Sequence, residues 1–223
     1  MKRTASLVMA SALIICTFGS CSSKNSIIGK WEMQDLSDTE VKVGGLEFKD
    51  NGKGSMFMDT TSILHAEDKG IVVGSGEQAF KFEEDLINYD GKALDINIQG
   101  QDIITLERID GKNSTDNYNG EFELKSGVMY DTIVEGIKKN ASGGEDQDLT
   151  VHISFDGSNS EVTFVDIFDY KAEKGKLEIS GYASFIGESS DGKAVNADFE
   201  IKDDVLKVTS AEGETEELVK VKK

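Results

Sequence analysis

The chain has 223 residues, 38% of them hydrophobic, with 24 basic against 42 acidic side chains and a net charge of −18. A field of that sign repels nucleic acid and anionic headgroups, so neither is an expected partner. Two cysteines, Cys16 and Cys21, allow at most one disulfide and no thiolate-rich metal site, so the fold must rest mainly on packing.

The chain opens on Lys2 and Arg3, then runs uncharged from Ala5 to Phe18. That length and flank suit a signal-peptide core and are too short for a lone membrane span. The run Phe18-Gly19-Ser20-Cys21 that closes it resembles the lipobox of bacterial lipoproteins, where small residues precede a cysteine that is acylated before cleavage. Phe18 departs from the pattern, since Leu is usual there. The resemblance implies a removed leader at 1–20 and lipid attachment at Cys21. Residues 21–26, Cys-Ser-Ser-Lys-Asn-Ser, then form a short polar stalk. Each buried methylene contributes about 0.8 kcal/mol, and the two or three acyl chains the resemblance implies would hold the protein stably. Without Lys2 and Arg3 the remainder carries −20, so the membrane partner is reached through the N-terminal lipid and not through a basic patch. The expected location is extracytoplasmic, membrane-anchored, at the cell surface or on the periplasmic side.

After the stalk, apolar residues alternate in short runs, the period of a half-buried strand. Leu46 and Phe48 share a face, as do Met56 and Met58, and Phe80 and Phe82. Leu94, Ile96 and Ile98 make the clearest stripe, and Ile104 and Leu106 lead to Arg108. Between the runs stand Asp50-Asn51-Gly52, Asp90-Gly91, Asp110-Gly111, Asp156-Gly157 and Asp191-Gly192, turn formers in a chain without proline. Together these predict an all-β, antiparallel fold. The polar stretch 111–117 reads as a linker between a first module at 27–110 and a second at 118–223.

One stretch of the second module breaks the alternation. From Val128 to Lys139, Met129, Ile133 and Ile137 recur at helical spacing, with Tyr130 and Val134 beside them. Gly136 weakens this helix by about 1 kcal/mol relative to Ala. The following Ser142–Asp148 reads as an acidic loop. Strand stripes then resume with Val151, Ile153 and Phe155; Val162 and Phe164; Leu177 and Ile179; Val195, Ala197, Phe199 and Ile201; and Leu206 and Val208.

The two modules look like a weak repeat. Gly29-Lys30-Trp31 opens the first and Gly120-Glu121-Phe122 the second. Phe80–Tyr89 aligns without gaps on Phe199–Val208 as an acidic hairpin, and Thr105–Ile109 aligns on Glu217–Val221 as a closing strand. Ile27-Ile28-Gly29-Lys30-Trp31 resembles the Gly-x-Trp start of lipocalin-like (calycin) domains. The resemblance implies two tandem antiparallel β-barrel or meander modules. In such domains the Trp sits at the closed end of a barrel, and an Arg from the last strand packs across its ring. Arg108, the sole arginine after the leader, would cover Trp31, and Lys220 would cover Phe122 in the second module.

Neither His65 nor His152 is accompanied by a nucleophile-elbow motif. The acidic runs Glu145–Asp148 and Glu83–Asp85 lack the spacing of a calcium loop and read as solvated charge. Gly74-Ser75-Gly76 lacks the Lys-Ser/Thr of a phosphate loop. No catalytic, cofactor-binding or metal residue is assigned, and no cofactor is expected. Met56, Phe57 and Met58, with Met129, Tyr130 and Ile133, are candidates to line or lid an apolar cavity, although barrels of this size are commonly packed solid. The expected function is a non-enzymatic binding module for a small apolar ligand or lipid. The alternative is a structural or interaction lipoprotein of the cell envelope with solid barrels.

Overall fold

A computed structural model describes residues 26–33, 44–67, 69–112, 117–140, 149–181 and 194–222, without the side chains of 137–140. The expected leader, Cys21, the stalk as far as Asn25, linker residues 113–116, the acidic segment 142–148 and the Asp191-Gly192 turn lie outside them.

The first strands in chain order are β1 (Gly29–Met33), β2 (Gly44–Phe48), β3 (Lys53–Asp59), β4 (Leu64–Glu67), β5 (Gly70–Val73), β6 (Phe80–Phe82), β7 (Ile87–Tyr89), β8 (Ala93–Ile98) and β9 (Gln101–Arg108). After them come β10 (Gly120–Ser126), helix α1 (Val128–Asn140), β11 (Thr150–Asp156), β12 (Asn159–Glu173), β13 (Lys176–Gly181), β14 (Val195–Lys202), β15 (Val205–Ser210) and β16 (Thr215–Lys220). Alternation becomes burial as expected: Leu94 and Ile96, Ile104 and Leu106, and Val151, Ile153 and Phe155 are all buried. Full burial of such a side chain stabilises by about 1.5–3 kcal/mol. Three hairpins turn on two residues of positive φ, Gln99-Gly100, Lys174-Gly175 and Asp203-Asp204, the geometry that matches strand twist.

Eight strands close into an up-and-down antiparallel ring in the order β1-β2-β3-β12-β13-β14-β15-β16, with β16 paired back on β1. This all-β barrel, with one α-helix elsewhere among the described residues, is compatible with a calycin-like barrel. Trp31, Leu46, Phe48, Phe168, Leu177 and Leu206 fill it, each at most 1% exposed. An eight-stranded ring is just wide enough for side chains to fill. Gly54 lies opposite Phe168 because a Cβ there would stand 1.9 Å from the ring.

The fifteen-residue β12 is the branch point of the sheet. One edge pairs with β3 at both ends of the strand, whereas the other pairs first with β11 and then with β13. The exchange occurs at a bulge between Phe164 and Phe168, where Asp166 takes a φ of 52°. The Asp166 backbone N–H donates to Ser55 Oγ at 3.1 Å, and Lys49 pairs with its carboxylate at 2.6 Å. Beyond the bulge the sheet continues outside the ring as β11-β10-β9-β8-β7.

A separate sheet, β4-β5-β6, contributes Leu64, Ala66, Ile71 and Phe82 to the same core as Leu94, Leu106, Phe122 and Ile153. Thr60 Oγ1 and Ser160 Oγ, 2.8 Å apart and buried, fix the exit of β3 against the start of β12. Helix α1 packs Met129, Tyr130 and Ile133 against the core. It follows Gly127, which has a φ of 110° and where a Cβ would stand 2.6 Å from the Ile103 carbonyl oxygen.

The strand order differs from two barrels in tandem. The closed ring draws β1–β3 from before the expected linker and β12–β16 from beyond it, with β4–β11 inserted between. Alternation specifies which face of a strand is buried but not which of several similar strands lies beside it. The proposed alignment of acidic hairpins also does not hold. Phe199–Val208 is a true hairpin, whereas in the other stretch β6 pairs with β5 and a 3-10 turn, Glu84–Leu86, separates it from β7.

Candidate functional site

The four residues expected to form two barrel-floor pairs do meet, but with partners exchanged. Cross-strand neighbours share a face. In the β1–β16 ladder Trp31 lies opposite Lys220, and in the β10–β9 ladder Phe122 lies opposite Arg108. Accordingly Lys220 Nζ stands 4.9 Å from the centroid of the Trp31 ring, and Arg108 Cζ stands 4.8 Å from that of Phe122. The expected Trp31–Arg108 and Phe122–Lys220 pairs are corrected on this register: each opening aromatic is covered by the cation that closes the other half.

Both opening glycines make room for that cation. Gly29 has a φ of 130°, and a Cβ there would lie 3.3 Å from Lys220 Cε. Gly120 has a φ of 150°, and its Cβ would lie 2.2 Å from Arg108 Nη1. Trp31 Nε1 donates to the Ile27 carbonyl at 2.6 Å, and Lys220 Nζ reaches the Ser26 carbonyl at 3.4 Å.

Arg108 has the more elaborate surroundings, with its side chain 1% exposed. Its guanidinium pairs with Asp110 at 3.0 Å and donates to the Asn119 carbonyl at 2.8 Å and to the Tyr89 hydroxyl. Its Nε is buried without a partner. Burial works against the charge, but the Tyr89 hydroxyl and the Asp110 carboxylate outweigh it and hold the pKa above its ordinary value. The Lys112 backbone N–H, with Arg108 adding to it, holds the Asp110 carboxyl below the usual range.

In front of Tyr89 and Asn119 opens a cleft of about 810 Å³. It is lined by Ala66 and Glu67 at the end of β4, by Lys69 in the following turn, and by Glu84, Ile87 and Tyr89. Asn117, Tyr118 and Asn119 close it on the approach to β10, and Gly157 and Ser158 form its rim. Tyr89 and Tyr118 pack ring against ring at 5.4 Å, and the Tyr118 hydroxyl donates to the Lys69 carbonyl at 3.1 Å. Desolvation, with Glu84 nearby, raises the Tyr118 pKa. Asn117 Oδ1 accepts the Asn119 backbone N–H and Asn119 Oδ1 accepts that of Gly157, both at 3.0 Å. Each asparagine thus commits its oxygen to the loop and keeps its amide NH2 as a donor.

The sequence reading missed this cleft. Tyr118 stands two residues before Gly120 as Ile27 stands two before Gly29, and both are buried. That shared apolar position was the available signal.

A smaller hollow of about 270 Å³ is lined by Glu32, Asp59, Asp156 and Glu161, with Phe57 at its base. Lys30 pairs with Glu161 at 2.5 Å and stands 3.9 Å above the Phe57 ring. His152 lies across from the Val151–Ile153 stripe, 3.4 Å from Glu121, and His65 sits on β4 with Nδ1 buried and unpartnered. Met56 and Met58 are half-buried against the core, as are Met129, Tyr130 and Ile133. Among the described residues, no group of three or more His, Cys, Asp or Glu side chains is arranged to hold a metal ion.

Compared with known proteins, the chain matches no family model, no curated protein and no solved structure.

Proposed function

We propose that this chain is a non-enzymatic binding protein, held outside the cytoplasmic membrane by lipid on Cys21, and that its ligand sits in the cleft over Tyr89 and Tyr118. The observation that carries the reading is the contrast between two spaces. The closed ring is filled by Trp31, Phe48 and Phe168, while the cleft outside it is open and lined by converging polar and aromatic groups. The packing of Trp31, Phe48 and Phe168 in the ring favours the cleft over the ring interior as the place for a ligand. The cleft suits a molecule with one apolar face and several polar groups.

The two halves are read as two lipocalin-like copies that have exchanged strands. The first copy gives β1–β3 to the closing strands of the second, and β10–β11 join the closing strands of the first. Both crossed aromatic–cation pairs follow from that exchange. A filled ring also favours a second reading, a structural or interaction lipoprotein of the envelope whose acidic surface meets another component.

Native mass spectrometry of the full chain, with solvent extraction of the same sample, tests the binding reading. Ser158 is exposed on the rim, so Ser158→Trp blocks the cleft without entering the core. A small molecule carried by the wild type and lost from Ser158→Trp supports binding there; one carried equally by both places it elsewhere. For the anchor, a fatty-acid probe that labels the wild type and not Cys21→Ala is the expected result.

A further inference from the structure

We propose that the cleft takes a neutral saccharide. This rests on the binding reading above and names its ligand class. A sugar presents many hydroxyls, each both donor and acceptor, around a C–H face that is apolar. Carboxylates that accept, amides that donate and an aromatic or aliphatic wall match all three features.

The cleft sets these groups around one space. Glu67 and Glu84 supply carboxylate acceptors, Glu84 sharing its oxygens with Lys69 at 3.2 Å. Asn117 and Asn119 supply amide donors whose orientation is fixed, because each side-chain oxygen is held by a backbone N–H at 3.0 Å. Tyr89 and Ile87 form the wall for a C–H face, and Arg108 behind Tyr89 locks that ring through its hydroxyl. Lys69 pairs with Glu84 at 3.2 Å, and Glu67 beside them leaves the lining with a net negative charge, which disfavours a phosphate or carboxylate. The surrounding chain, at −18 overall, repels anionic ligands as well. These features together select against sugar phosphates, uronic acids and phospholipid headgroups.

The test is calorimetric titration of the full chain in a non-glycosidic detergent. The probes are neutral oligosaccharides of glucose and of N-acetylglucosamine, with glucose 6-phosphate as the anionic control. The expected result is saturable binding of a neutral oligosaccharide and none of the phosphate. Glu84→Gln and Asn117→Asp keep size and shape; each should weaken binding at least tenfold while melting as the wild type does. Lys176→Ala, distant on β13, should leave it unchanged. Preference for the phosphate, or binding unmoved by both variants, overturns the proposal. If no saccharide binds while extraction still yields a molecule lost from Ser158→Trp, the saccharide class fails and the binding reading survives. If both fail, both fall.

Discussion

Lys220 Nζ lies 4.9 Å over the ring of Trp31, so the cation that closes the last strand seals the aromatic that opens the first. The contact belongs to the ring itself, because β1 and β16 are the strands that join it.

Trp31 is the sole tryptophan, so its emission reports on this contact. Lys220→Met should shift that emission and cost about 0.5–1 kcal/mol, the range of a partly exposed cation–π contact. Arg108→Met should leave the emission unchanged yet lower the melting temperature more, because the buried guanidinium also holds Asp110, the Asn119 carbonyl and the Tyr89 hydroxyl. The opposite pattern, with emission following Arg108, would restore the tandem pairing.

Since both halves supply strands to one ring, neither should fold alone. A protease site placed at 113–116 and cut in the folded protein should leave the two pieces associated, with an unchanged β-sheet spectrum. Expressed separately, each piece should lack a cooperative transition and should recover one on mixing. A cooperative melt from either piece alone would contradict the shared ring.

Gly120 and Gly76 both have positive φ but differ in surroundings. A Cβ on Gly120 collides with Arg108 at 2.2 Å, whereas a Cβ on Gly76 meets nothing within 4 Å. Gly76→Ala should cost only the backbone penalty, about 1–2 kcal/mol. Gly120→Ala must also displace the guanidinium from Asp110 and should cost clearly more than Gly76→Ala by denaturant titration. Equal costs would mean that Arg108 moves aside freely.

Two groups give opposite pH dependences. The Asp110 carboxyl titrates below its unfolded value, so its contribution is present above the ordinary carboxyl range and is lost as pH falls through the folded pKa. Asp110→Asn should flatten the acid limb of stability against pH. Tyr118 titrates above the ordinary tyrosine value, so its contribution is complete below that value and is lost as pH rises through the folded pKa. Tyr118→Phe should flatten the alkaline limb.

Much of the fold was legible in local pattern. The stripe Leu94, Ile96, Ile104, Leu106 became buried faces, and Met129 and Ile133 at helical spacing became α1. The residues of the two aromatic–cation pairs were also visible, through Gly-x-aromatic starts and inward cations at the closing strands. Their partners were not, because pairing depends on long-range strand order and every candidate ladder satisfies the same alternation. The cleft was hidden for a related reason. Its walls come from four separate stretches of chain between Ala66 and Ser158, none of which forms a motif alone.

The seam between β1 and β16 brings the two ends of the described residues together. The Val221 N–H donates to the Lys30 carbonyl at 2.9 Å, and Lys220 reaches Ser26, so residues 26 and 222 emerge beside one another. A short Gly-Ser bridge could join them, with new termini opened at 113–116. Such a permutant would run in the order β10 to β16, then β1 to β9. Read that way, a continuous stretch from β12 to β16 and on through β1 to β3 would build the entire ring without interruption.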